Sequence, residues 1–170
     1  MRIFHGLDRF SEDLNFSLMN PDPDFSLEPY FQSIITEFAS HGVDVSINSK
    51  PKTTPSQIES AFLKSNTSIY DLNISGETLK SFPSNPKQLK IKFEADIDPP
   101  GNFSTENKLL LQPFSFYVRC YSLPDLFAGK IHALLFRKWK TRVKGRDWFD
   151  LEWYIRKGIH VNLAHLNERI

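Results

Sequence analysis

The strongest constraint on how this chain can fold is a change of apolar period at residue 121. Before it, strand-like and helix-like stretches are interleaved; after it the pattern is helical alone. Leu89 to Ile97 shows the shorter period most clearly. Leu89, Ile91, Phe93 and Ala95 fall on one face, Lys90, Lys92, Glu94 and Asp96 on the other, and Pro99-Pro100-Gly101-Asn102 ends the run. Val43 to Asn48 alternates in the same way, and Phe114 to Tyr121 is strand-like by its aromatic and branched residues. Between the early strands, Ser26 is placed to cap a helix over 27–40, with Phe31, Ile34, Ile35 and Phe38 on one side and Gly42 as its stop. Thr54-Pro55 opens a short helix through Leu63. Ser65 to Lys87 is polar and turn-forming, and a loop leads on to Phe114.

Beyond residue 121, Ser122 is expected to cap a helix through about Lys140. A second helix follows from Gly145 or Arg146 to Lys157, with Gly158 behind it, and a short last one follows Asn162. This order predicts an α+β fold: a mostly antiparallel or mixed sheet in residues 1–121, with a helical region, 122–170, packed on it as one compact unit.

Bulk properties narrow the function. The 170 residues carry 21 Lys and Arg against 20 Asp and Glu, which lacks the basic excess of a dedicated nucleic-acid binder. Hydrophobic residues make up 40% and include 15 Phe, enough for a real core. A single cysteine, Cys120, excludes a disulfide within the chain and a cysteine-based zinc cluster. With no signal peptide and no long apolar run, the expected setting is the cytoplasm and no membrane partner is expected.

Chemistry gathers at two places. In Gly6–Phe16, GLDRFSEDLNF, a turn feeds a strand whose Leu14, Phe16 and Leu18 share one face. Asp13 and Asn15 point the other way. Side-by-side oxygen ligands on a strand are one way to offer Mg2+ to a nucleotide's phosphates, and Arg9 could meet those phosphates itself. The plain alternative is a solvated edge strand. The second place is the C-terminal helix pair. Leu126, Phe127, Ile131, Leu134 and Leu135 form an apolar stripe that contains Lys130, an ammonium that must either snorkel outward or meet an anion. On the next helix, Asp147 and Asp150 share a face with Tyr154 one turn further on. One aspartate in a first helical turn is an ordinary dipole partner. Two of them among Trp148, Phe149, Leu151, Trp153 and Ile155 should be half-buried and paired, with Lys130 or Arg137 as the cations at hand.

Three segments carry a family resemblance: RIFHGLDRFSEDLNF at Arg2–Phe16, LFAGKIHALLFR at Leu126–Arg137 and KGRDWFDL at Lys144–Leu151. In this order they resemble the nucleotidyl transferase AbiEii/AbiGii toxin family, the toxin half of bacterial abortive-infection, toxin–antitoxin systems. The resemblance implies a nucleotidyltransferase-like mixed β-sheet with flanking helices and a C-terminal helical region, like that of DNA polymerase beta-like enzymes. It implies Asp13, Lys130 and Asp147 as catalytic residues, Asp13 and Asn15 as Mg2+ ligands, and Arg9, Ser11, Lys130 and Arg146 on the nucleotide. Asp150 and Arg137 would support them. The implied partners are a nucleoside triphosphate, a tRNA or protein acceptor and a cognate antitoxin.

Two departures bear on that expectation. Family members usually have Asp where this chain has Asn15, and an amide is a weaker ligand for Mg2+. Their Gly-Gly-Thr or Gly-Gly-Ser turn, a phosphate-holding nest, would stand just before Arg2 and is not in this sequence. The sequence therefore leaves two functions open: an active nucleotidyltransferase, or an inactive or truncated fold kept as an interaction module. A structural RNA binder is the third class, disfavoured by the balanced charge.

Overall fold

The computed structural model describes residues 2–11, 13–49, 67–75, 89–112, 114–137 and 145–170. They form two compact units: Ser11–Pro99, and Met1–Phe10 together with Pro100–Ile170. The α+β content is as expected, and the strand pair nearest residue 121 is grouped with the helices.

The first unit is a four-stranded mixed sheet with one described helix. In chain order it runs β1 (Asp13–Ser17), α2 (Glu28–Ser40), β2 (Asp44–Ser49), β3 (Thr67–Ser75) and β4 (Leu89–Asp96), and the strands lie in the order β1-β4-β3-β2. β1 runs parallel to β4, while β3 is antiparallel to both its neighbours. The core lies under β3, where buried Leu72 and Ile74 pack with Ile34 and Phe38 of α2, Val45 and Ile47 of β2, and Ile91 and Phe93 of β4. Helix and sheet thus meet through the faces that their two periods define.

β3 falls within the stretch read as polar and turn-forming. Its Leu72 and Ile74 alternate with Asp71 and Asn73, residues that disfavour strands. Pairing on both sides, Leu72 with Ile47 and Ile91, holds it in place. The helix expected over 54–63 lies outside the described residues. α2 ends as its glycine requires. Gly42, at φ +72°, donates to the Ala39 carbonyl while Val43 donates to that of Phe38, the paired bonds of a left-handed C-cap. At the other end Leu27, not the expected Ser26, holds the N-cap position and makes no side-chain cap bond, while the Ser26 hydroxyl one residue earlier accepts from the Glu28 N–H at 3.2 Å.

The second unit holds α1 (Arg2–His5), the antiparallel pair β5 (Thr105–Leu110) and β6 (Phe116–Tyr121), α3 (Leu123–Phe136), α4 (Gly145–Arg156) and α5 (Leu163–Glu168). β5 takes the place of the expected loop. The rings of Phe127 on α3 and Tyr154 on α4 stack at 4.6 Å between centroids, fixing one helix on the other. Ser122 occupies the N-cap of α3 but does not cap with its hydroxyl, which donates instead to Asp125 Oδ2 at 2.5 Å. Buried Asp125 also accepts from the Ser104 N–H and hydroxyl and from Asn162 Nδ2, tying β5, α3 and α5 together. Buried His165 donates from Nδ1 to the Gly101 carbonyl and accepts from Arg169 Nε, a satisfied structural histidine.

The expected stripe of α3 is rotated. Asp125, Phe127, Ala128 and His132 are its buried residues, whereas Leu135 is exposed. Polar Asp125 and His132 occupy positions that an apolar count leaves out. The helix also ends at Phe136, short of Lys140, with Arg137 already extended.

Candidate active site

α4 is an inside-out helix. Its buried residues are Asp147, Asp150 and Tyr154, on one face at spacings of three and four, while Trp148, Phe149 and Ile155 are exposed. Asp147 and Asp150 are only 2% and 1% exposed, so each carboxylate needs a cation or a set of donors. Both have cations. Lys130 Nζ on α3 stands 3.0 Å from Asp147 Oδ1 and 2.7 Å from Asp150 Oδ2. Arg137 Nη1, one residue past the end of α3, donates to Asp147 Oδ2 at 2.7 Å. Arg9, on the loop after α1, closes the other end: Nε donates to Asp150 Oδ1 at 2.5 Å and Nη2 to Asp150 Oδ2 at 2.7 Å.

The resulting row, Arg9–Asp150–Lys130–Asp147–Arg137, places three cations against two carboxylates. Burial pushes the Asp150 carboxyl up, but the hydrogen bonds from Arg9 and Lys130 outweigh it and hold the group below the usual carboxylate range. The same bond to Asp150 raises Arg9, against the opposing effect of burial. Burial, and then the Asp150 charge, raise the Tyr154 phenol, which stays protonated at neutral pH. Such a row is a poor way to gain stability, because apolar side chains of similar volume commonly do as well or better. Among the described residues, Lys130 donates to Asp147 and is ion-paired with Asp150, and its side chain remains 20% exposed.

The residues expected at a site thus fall into two sets. Arg9, Lys130, Arg137, Asp147 and Asp150 come together in one unit, and Arg146 lies exposed beside Asp147 on α4. Ser11, Asp13 and Asn15 belong to the other unit. There Asp13 is partly buried and Asn15 exposed on β1, opposite Lys92 and Glu94 of β4 in register. Lys92 and Glu94 are ion-paired with each other. No group of three or more His, Cys, Asp or Glu side chains placed to hold a metal occurs among the described residues. One carboxylate and one amide oxygen on alternate residues cannot cage an ion alone. They do fit Mg2+ that keeps its waters and arrives on phosphates.

The pairing of the two aspartates with Lys130 and Arg137 follows the spacing read from the sequence. That Arg9 joins them does not, since Arg9 and Asp150 are 141 residues apart and no local pattern links them.

No helix among the described residues is long and apolar enough to cross a membrane. No curated protein matches the chain. One family's sequence model does match, over residues 1–170, the whole of it. The chain belongs to the nucleotidyl transferase AbiEii toxin family of type IV toxin–antitoxin systems.

Proposed function

We propose that the chain binds a nucleoside triphosphate with Mg2+ and transfers its nucleotidyl group to a tRNA or protein acceptor, under the control of a cognate antitoxin. An acceptor oxygen would bond to the α-phosphorus as the bond to the β-phosphate oxygen breaks; pyrophosphate leaves and the acceptor proton passes to water. What most supports this reading is Lys130, an ammonium held between two buried carboxylates and still 20% exposed. That arrangement suits a phosphate oxygen, which the lysine meets as a point charge without leaving its carboxylates. Both Asp147 oxygens are occupied by cations, so Asp147 orients Lys130 and Arg137. Asp13 and Asn15 would hold the metal, which neutralises phosphate charge when bound. Ser11 and Arg146 would contact the nucleotide.

A specific observation favours a second reading, an inactive fold kept as an interaction module: Asn15 stands, neutral and exposed, where a carboxylate would bind metal more strongly. Incubation with each α-32P nucleoside triphosphate and either a tRNA pool or cell proteins separates the two. The transferase leaves label on an acceptor only with Mg2+, and Lys130→Gln abolishes it. Absence of label on either acceptor class, with all four nucleotides, overturns the transferase reading.

A further inference from the structure

The Arg9 guanidinium is already committed. Nε and Nη2 grip both oxygens of Asp150, and Nη1 donates to the Phe10 carbonyl at 3.0 Å. Asp150 Oδ2 is shared, receiving Arg9 on one side and Lys130 on the other. At 1% exposure, Asp150 has almost no water to fix its orientation, and an aspartate's terminal torsion is intrinsically broad. The flat, two-point grip of an arginine is what can hold that carboxylate plane.

We infer that Arg9 is a positioning residue: by fixing Asp150 it sets where the Lys130 ammonium points, and hence how well that ammonium meets a triphosphate. This inference rests on Lys130 as the phosphate contact and moves Arg9 off the nucleotide. Without the grip, Asp150 turns and carries a less compensated charge, and Lys130 follows it back into the helix pair. Lysine at position 9 keeps the charge but offers only a point contact, so charge and geometry separate in Arg9→Lys.

The test uses the full chain with 15N-labelled lysine, the Lys130 Nζ signal being identified by its loss in Lys130→Arg. Calorimetry with ATP, GTP, CTP and UTP in Mg2+ gives the affinities. Arg9→Lys should shift the Lys130 signal and weaken the best triphosphate roughly tenfold, although net charge is unchanged. An unmoved signal, or an unchanged affinity, overturns the inference. A fall in melting temperature alone marks Arg9 as merely structural and overturns it too. If the wild-type chain binds no triphosphate, the proposed function fails, and the Lys130 signal by itself still decides whether Arg9 positions Lys130. Should Arg9→Lys not fold, Asp150→Asn, which keeps the side-chain shape, is expected to shift the same signal and lower the same affinity.

Discussion

Lys130 Nζ lies 2.7 Å from Asp150 Oδ2 and 3.0 Å from Asp147 Oδ1, so one ammonium joins α3 to two successive turns of α4. The two partners are not equivalent in what their loss exposes. Removing Lys130 leaves each aspartate another cation, Arg9 or Arg137. Removing Asp150 leaves Arg9 and Lys130 facing each other across a buried gap. Urea unfolding at pH 7 should therefore rank Asp150→Ala, at about 3 kcal/mol, above Lys130→Met, at about 2 kcal/mol. The reverse order would mean that Arg9 does not depend on Asp150.

Asn15 offers a gain-of-function test. An added carboxylate beside Asp13 on β1 supplies the charge that an amide lacks, so Asn15→Asp should strengthen Mg2+-dependent triphosphate binding roughly tenfold, measured as the Mg2+ dependence of nucleotide affinity. No gain would show that Asn15 is not a metal ligand.

Buried His132, stacked on Phe136 at 4.9 Å, has its pKa lowered by burial and then by the charge of Arg169. Burial likewise lowers His5. The unfolded chain then binds protons, near pH 6.5, that the folded chain refuses. Stability from these groups is complete above about pH 6.5 and falls as the pH drops below it. Asp150 and Asp125 have lowered values, so their contribution stays complete down to about pH 4 and is lost only below that. Melting temperature should fall between pH 7 and pH 5, and His132→Gln should reduce that slope while His5 keeps the remainder. An unaltered slope would rule out His132 as a source.

Asp125 separates fold from site. It serves the Ser104 N–H and hydroxyl, the Ser122 hydroxyl and Asn162 Nδ2 without a cation partner in any of those bonds. Asp125→Ala would leave these donors unmatched and should cost about 3 kcal/mol in urea unfolding. Triphosphate affinity of the folded fraction should not change; a loss of affinity would place Asp125 in the site.

Legibility in the sequence followed the reach of each interaction. β4 could be read because Ile91, Phe93 and Ala95 alternate without interruption against charged residues. β3 could not, because Asp71 and Asn73 mask its apolar pair and only flanking strands make the segment a strand. β5 was hidden likewise, its Glu106, Asn107 and Lys108 resembling a loop until β6 pairs with them. At the site, the aspartates on α4 announce themselves by a spacing of three and by apolar neighbours, and α3 lies near enough in sequence to supply Lys130 and Arg137. Arg9 comes from the far end of the chain, and its partner is visible only in the folded molecule.

The most direct measurement is thermal unfolding with each of the four ribonucleoside triphosphates, with and without Mg2+. A ligand at about 100 times its dissociation constant adds roughly 2.7 kcal/mol, an easily seen rise in melting temperature. A nucleotidyltransferase site built on Lys130 predicts a rise with at least one triphosphate that requires Mg2+ and disappears in Lys130→Gln. No rise with any triphosphate, or one that Lys130→Gln leaves intact, would contradict it.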